Sequence, residues 1–143
     1  PLWSRGLGDV YKRQLQQAGL YNPDLELLTP RPSSVGLGAE LFLQLMQSQP
    51  QVDAIFFGND DLAQGALLEA MRCGIKVPEQ VAVLGFNDLP SSEHMVPRLS
   101  SISTPREAIG RRAAEQMLTL LAGNSVAEPV VDMGFELRVR EST

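Results

Sequence analysis

The sequence contains one cysteine, one histidine and no long apolar run among its 143 residues. A single cysteine, Cys73, excludes an internal disulfide and is typical of a reducing compartment. Because His94 has no second histidine and no cysteine near it, we expect no metal site. No run approaches membrane-spanning length and no signal peptide is visible, so the sequence predicts a cytoplasmic protein without membrane contact or cofactor.

Basic residues are also too few to form a nucleic-acid surface. The sequence has 12 Lys and Arg against 17 Asp and Glu, a net charge of −5. Phosphate contacts need a basic face, so this chain is not expected to bind DNA or RNA by itself. We find no nucleophile motif, metal cluster or phosphate loop, which makes an enzyme the least favoured class. Length and composition otherwise predict one ordinary globular domain.

Residues 1–14 resemble a translated cloning adaptor and are set aside from the fold prediction. The first residue is Pro1 and not Met, so we expect a piece of a longer protein. The alternative is a native N-terminal arm, and residues 10–17 could extend the helix that ends near Gly19.

Apolar patterning over the remaining residues alternates between strands and helices. This predicts an α/β fold with a parallel sheet and flanking helices. Strands 53–58 and 81–86 are apolar without alternation, as expected when helices cover both faces of a sheet. Thr104, Pro105 and Glu107 together predict a helix N-terminus with a capping box. The predicted helices are 35–49, 60–73 and 105–121, and further strands are predicted at 25–29, 99–103, 129–133 and 135–139.

Polar residues follow two of these strands directly. Asn59, Asp60 and Asp61 come after the first strand, and Asn87 and Asp88 come after the next. Ligands bind at the carboxyl ends of strands in open α/β sheets, and amides and carboxylates hydrogen-bond hydroxyl groups well. The alternative is helix capping. We interpret Asn59 as facing a ligand and Asp60 or Asp61 as the cap, and we favour ligand contact for Asn87 and Asp88.

Six motifs in register resemble the C-terminal part of lactose-repressor-type (LacI family) bacterial transcription regulators. The resemblance covers residues 15–143 and is nearest to gluconate-operon repressors of that family. The motifs are Phe-Gly-Asn-Asp-Asp-Leu-Ala-Gln-Gly-Ala (57–66), Gly-Ile-Lys-Val-Pro (74–78), Val-Leu-Gly-Phe-Asn-Asp (83–88), Pro-Arg-Leu-Ser-Ser-Ile (97–102), Gly-Arg-Arg-Ala-Ala (110–114) and Arg-Val-Arg-Glu-Ser-Thr (138–143).

The resemblance implies a two-lobed effector domain, like that of type I periplasmic sugar-binding proteins, behind a DNA-binding headpiece. Residues 15–143 would form a partial effector-binding domain: the C-terminal lobe, plus a helix at 105–121 that crosses to the N-terminal lobe. DNA would be bound only through the headpiece, outside this chain. A homodimer and non-covalent binding of a sugar acid such as gluconate, or its phosphate, are implied as well. The alternative is a transport-type sugar-binding protein of the same fold.

The same resemblance suggests effector contacts. Asn59 matches an asparagine that contacts effector in the family. Asn87 stands where many members place an aspartate, and an amide there removes like-charge repulsion toward an acidic ligand. Ser33 replaces a stacking aromatic found in some members. The expected effector-binding residues are Asn59, Asn87, Ser33, Asp60, Asp88 and Thr104, whereas the family's effector-binding arginine would fall within residues 1–14.

Overall fold

The computed structural model describes residues 6–143, with side chains from residue 12 onward. It divides into two units, Pro1–Arg31 and Pro32–Thr143. In the first unit, helix α1 (Gly6–Gln17) begins inside residues 1–14, the segment that resembles a cloning adaptor. Gly19 follows it with a left-handed backbone (φ 68°), as predicted for a helix end.

The second unit is built around a four-stranded sheet in the order β1-β2-β3-β4. The strands β1 (Ala54–Phe56), β2 (Ala82–Phe86) and β3 (Ser100–Ser103) run parallel, which confirms the predicted parallel sheet. Strand β4 (Glu136–Arg138) pairs antiparallel with β3 and makes the sheet mixed. Helix α2 (Val35–Ser48) precedes β1, α3 (Asp60–Cys73) connects β1 to β2, and α4 (Arg106–Leu121) connects β3 to β4. A loop with a short 3-10 turn, Pro90–His94, connects β2 to β3.

Helices α2 and α3 pack against each other at unusually close range. A Cβ atom added to Gly38 would collide with the backbone of Leu62, and one added to Gly65 would collide with the backbone of Val35 and Ala39. The two glycines therefore allow backbone-to-backbone contact near the N-terminal ends of both helices. The core lies between these helices and the sheet and consists of Phe42, Phe57, Ala63, Ala66, Leu67, Ala70, Val81, Val83 and Leu99.

The sheet is less covered than the apolar runs predicted. Ala54 in β1 is exposed, and burial in β2 alternates, with Val83 and Gly85 buried between half-buried neighbours. Within the described residues, coverage of both faces therefore holds better for β2, which has no exposed residue, than for β1. Within residues 6–143, β1 lies at the edge of the sheet and pairs with β2 alone.

Two predicted strands do not form. In the predicted strand 25–29, Leu25 instead ends a short 3-10 turn, Pro23–Leu25, which Asn22 caps through its side chain. Leu28 is 80% exposed, so no burial favours a strand there. At 129–133, Val130 is 86% exposed and Asp132 Oδ1 accepts the N–H of Gly134 over 2.8 Å, a local turn that competes with extended pairing.

The predicted capping box before α4 is also wrong. Pro105 occupies the cap position and no side chain caps the helix. The carbonyl of Thr104 accepts the N–H of Arg106 over 2.8 Å, while Glu107 pairs with Arg111, one turn further along, at 2.8 Å. Glu107 therefore interacts along the helix instead of reaching back to its start.

The last residues return to the sheet after β4. Ser142 is fully buried; its hydroxyl donates to the carbonyl of Val83 over 2.6 Å and accepts the N–H of Ser100 over 2.8 Å. Its own carbonyl accepts the N–H of Val83 over 2.7 Å. Ser142 thus hydrogen-bonds to both β2 and β3.

Candidate functional site

The carboxyl ends of β1, β2 and β3 lie at one edge of the sheet, because the three strands are parallel and adjacent. Asn59 follows β1, Asn87 and Asp88 follow β2, and Thr104 follows β3. Neighbouring strands lie about 5 Å apart. The topology therefore brings four of the six predicted site residues to neighbouring positions along one edge.

Asn59 caps helix α3 and also contacts Ser33. Its Oδ1 accepts the N–H of Leu62 over 3.1 Å, and its Nδ2 donates to Oγ of Ser33 over 2.7 Å. The expectation that Asp60 or Asp61 forms the cap is therefore wrong. An amide nitrogen carries two hydrogens and a hydroxyl carries one. Within the described residues, one N–H of Asn59 and the hydroxyl hydrogen of Ser33 remain to donate to a ligand.

Ser33 lies in the loop before α2, next to the residue that starts this helix. Ser34 is the cap, since its Oγ accepts the N–H of Leu37 over 3.1 Å. Because Ser34 caps the helix, the side chain of Ser33 is left to contact Asn59. The close packing of α2 on α3 sets the distance between Ser33 and Asn59.

Asn87 and Asp88 both adopt a positive φ, at 102° and 52°. Asparagine and aspartate enter this region more readily than other side chains with a Cβ, yet a φ near 100° lies outside its usual centre. Such conformations cost on the order of 1–3 kcal/mol and persist where surrounding contacts enforce them. The Asn-Asp pair therefore also forms the turn after β2, a role that was not predicted from the sequence.

Asp60 is completely buried, with 0% of its surface exposed. Oδ2 accepts the N–H of Leu89 over 2.6 Å and the hydroxyl of Ser92 over 2.8 Å, while Oδ1 accepts the hydroxyl of Ser101 over 2.6 Å. A carboxylate held by three internal donors has no surface left for an effector. Asp60 is therefore removed from the candidate ligand contacts, and its partners Ser92 and Ser101, both fully buried, were not anticipated.

Asp88 faces Arg138, the last residue of β4, and Arg140, two residues further along the chain. Its Oδ1 lies 2.7 Å from Nη2 of Arg140, an ion pair without the alignment of a hydrogen bond. Its Oδ2 lies 4.0 Å from Nε of Arg138. Arg140 also donates to the carbonyl of Leu99 over 2.7 Å. The charge of Asp88 is thus balanced by protein groups, and Arg140 could have been suspected only from the Arg-Val-Arg-Glu-Ser-Thr motif.

Thr104 lines an open cavity of about 690 Å³ at the start of α4. Arg106, Glu107 and Arg111 contribute charged groups to the same cavity, with Pro105 and Ala108 beside them. The cavity lining contains neither Asn59 nor Asn87. Thr104 follows β3 at the same edge of the sheet as those two residues, but they do not line the cavity that it lines.

The remaining chemistry-bearing groups do not form a catalytic arrangement within the described residues. Partial desolvation and a hydrogen bond to Glu69 raise the pKa of the Cys73 thiol, which disfavours the reactive thiolate. No group of three His, Cys, Asp or Glu side chains in the described part of the chain is placed to hold a metal ion. None of the described helices is long and apolar enough to cross a membrane.

Comparisons with known proteins agree with this architecture. Residues 2–143 match the family model described as a periplasmic binding protein-like domain. The HTH-type transcriptional regulator GntR of Pseudomonas aeruginosa is 71% identical over 136 residues, which are 95% of this chain and 40% of that protein. The regulator of the same name from Escherichia coli K12 is 39% identical over 127 residues, 89% of this chain and 38% of that protein.

Solved structures of transcription regulators have the same fold as this chain. The crystal structure of transcription regulator GntR from Chromobacterium violaceum has a TM-score of 0.89 and 41% identity, covering 94% of this chain and 49% of its own. A transcriptional regulator CelR–cellobiose complex has a TM-score of 0.83 and 31% identity, covering 93% of this chain and 40% of its own. The chain spans about 40% of the length of the curated relatives it matches. It belongs to the periplasmic binding protein-like domain family, in the form found in LacI-family transcription regulators.

Proposed function

We propose that this chain is the effector-sensing lobe of a transcriptional repressor and binds a sugar acid such as gluconate, or its phosphate, non-covalently. The observation that carries the proposal is the pair Ser33 and Asn59, hydrogen-bonded at 2.7 Å, at the same sheet edge as Asn87. The proposed contacts are Ser33, Asn59, Asn87 and Thr104. Asp88, whose carboxylate is paired with Arg140, would lie next to Asn87 at this edge.

The charge distribution at this edge favours an acidic ligand over a neutral one. Asn59 and Ser33 still have hydrogens to donate, and carboxylates and phosphates are the strongest acceptors. Asn87 brings an uncharged amide to a position where an aspartate would repel an anion. The negative charge of Asp88 is offset by Arg140 at 2.7 Å. The relatives from Pseudomonas aeruginosa and Escherichia coli described above are named as transcriptional regulators, which agrees with a regulator of this type.

Helix α4 supports a two-lobed arrangement. Within the described chain, none of its residues is buried. Its large apolar side chains are between 42% and 78% exposed: Ile109, Met117, Leu118, Leu120 and Leu121. An apolar helix face of this size needs a partner. We assign that partner to the N-terminal lobe of the full regulator, and DNA binding to a headpiece outside this chain.

A homodimer in the cytoplasm is part of the same proposal. Leu68 and Met71 on α3 are 48% and 57% exposed, and Val96 in the loop before β3 is 71% exposed. Leu68 and Met71 lie three residues apart and so share one face of α3, and a second copy would pack on this face and on the loop that carries Val96. Sedimentation at rising concentration tests this part: a species that remains monomeric throughout would refute it.

The test of the ligand uses a hybrid regulator in which residues 15–143 replace the matching segment of the Pseudomonas aeruginosa relative. Its melting temperature is measured with gluconate, other aldonates, their phosphates and neutral sugars. A ligand that binds only the folded state raises the melting temperature. A selective rise with a sugar acid supports the proposal, and substitution of Asn59 by Ala should abolish that rise. A cooperative melt that no sugar acid shifts would refute the sugar-acid assignment.

A further inference from the structure

A buried carboxylate connects the two strand ends that carry the proposed ligand contacts. Asp60 directly follows Asn59, and Leu89 comes two residues after Asn87. Asp60 Oδ2 accepts the N–H of Leu89 over 2.6 Å and the hydroxyl of Ser92 over 2.8 Å. The same side chain thus belongs to the end of one strand and fixes the backbone that follows the next.

Ser101 extends this connection to Asp88. Its hydroxyl donates to Asp60 Oδ1 over 2.6 Å and accepts the N–H of Asp88 over 3.1 Å. A hydroxyl has one hydrogen, so donation to Asp60 turns the oxygen lone pairs toward Asp88. We call Asp60, Ser92 and Ser101, with the Asp88 and Leu89 N–H groups, the Asp60 network. It holds the turn in which Asn87 and Asp88 adopt positive φ.

We infer that Asp60 is a positioning residue that sets the placement of Asn87 relative to Asn59 and so controls effector affinity without touching the effector. This rests on the proposed function, in which both asparagines contact one ligand. Asp60, Ser92 and Ser101 are each 0% exposed, so their effect on a ligand can pass only through the backbone that they hold. The inference also explains why an acid beside a proposed ligand contact points inward.

The test compares Ser101→Ala with Ser142→Ala, because these two serines are closely matched. Both are fully buried, and each hydroxyl donates one hydrogen bond and accepts one backbone N–H. Ser142 bonds Val83 and Ser100, away from the turn at 87–89. Loss of a side-chain hydroxyl should therefore lower the melting temperature of both variants. Only Ser101→Ala should disturb the turn.

Affinity for gluconate and related aldonates is measured by calorimetry in the hybrid regulator. We expect Ser101→Ala to raise the Kd roughly tenfold or more, as expected when hydrogen bonds to a charged group are lost. Ser142→Ala should leave the Kd of the folded protein unchanged. Equal Kd values in the two variants, whether both raised or both unchanged, would overturn the positioning role.

Amide hydrogen exchange in the 143-residue chain, without ligand, separates this inference from the proposed function. Ser101→Ala should speed exchange at Asp88 and Leu89, whereas Ser142→Ala should leave these two amides protected. If no sugar acid binds the unsubstituted hybrid, the proposed function fails, and this comparison still decides whether Asp60 and Ser101 fix the turn. Equal exchange at residues 88 and 89 in both variants would overturn the Asp60 network.

Discussion

Substitution of Gly65 by Ala should lower the free energy of unfolding of the chain and should also disturb the candidate site. Gly65 lies where α3 meets α2, and a new Cβ would meet the carbonyl oxygen of Val35 and lie 2.7 Å from the nitrogen of Ala39. Ordinary contact begins at 3.4 Å. These are backbone atoms of a helix, so no rotamer change relieves the collision and α2 must move away from α3.

The expected change in the free energy of unfolding follows from two opposing effects. Alanine gains about 1 kcal/mol over glycine in helix propensity, whereas overpacking of this kind costs about 1–3 kcal/mol or more. Separation of α2 from α3 also loosens the buried side chains Phe42 and Leu67. We expect a net loss of about 2 kcal/mol, which lowers the melting temperature by roughly 5–10 °C in a domain of this size.

Gly110→Ala in α4 is the matched control, because among the described residues no atom beyond its own stretch of helix backbone and its two chain neighbours lies within 4 Å of its added Cβ. There the propensity gain stands alone, and the free energy of unfolding should rise by about 0.5–1 kcal/mol. Both variants are compared by urea unfolding followed by circular dichroism. Because Ser33 and Asn59 lie just before the first turns of α2 and α3, Gly65→Ala should also weaken effector binding. If urea unfolding gave the same free energy of unfolding for Gly65→Ala and Gly110→Ala, the proposed collision between α3 and α2 would be refuted.

Two further predictions concern the turn after β2 and the C-terminal segment. Asn87→Ala should lower the free energy of unfolding by about 1 kcal/mol because of its positive φ, while Asn87→Gly should not; both should lose effector affinity. Full affinity in calorimetry with Asn87→Gly would contradict a role for the amide. The backbone N–H and guanidinium of Arg98 lower the pKa of Glu141 below its usual 4.5. When the pKa of a carboxyl group is lower in the folded state, its ionised form stabilises the fold at a pH above the pKa of the unfolded state. This stabilisation is lost as the pH falls through the pKa of the folded state. The melting-temperature advantage of the unsubstituted chain over Glu141→Gln should therefore hold at pH 7 and shrink below pH 4, and a constant difference would contradict it.

Helix α3 shows which parts of the fold could be predicted from the sequence. It begins at Asp60 and ends at Cys73, as expected, because its signals are local: a side-chain cap at Asn59 and a left-handed glycine at Gly74 (φ 70°). The predicted strand at 129–133 failed because a turn at Asp132 and Gly134 competes for the same backbone. Apolar patterning does not register such competition.

The candidate site was predictable in position but not in the role of each side chain. The sequence places three polar residues after β1, and nothing local states which of them turns inward. That choice depends on donors from Leu89, Ser92 and Ser101, which lie 29 to 41 residues further along the chain. For this reason the predicted roles of Asn59 and Asp60 were partly reversed: Asn59 caps the helix and meets Ser33, and Asp60 is buried.

The bonds of Ser142 have a consequence for biosynthesis. Its hydroxyl meets the carbonyl of Val83 across 59 positions of sequence, and Ser100 N–H meets it across 42. A ribosome adds residues one at a time, so β2 and β3 emerge well before the partner that bonds to both. Until translation has passed Ser142, buried polar groups of the central strands stay unpaired, and the nascent sheet remains open to chaperones and proteases. Folding of this unit is therefore expected to finish at the end of translation of these residues and not strand by strand as they emerge.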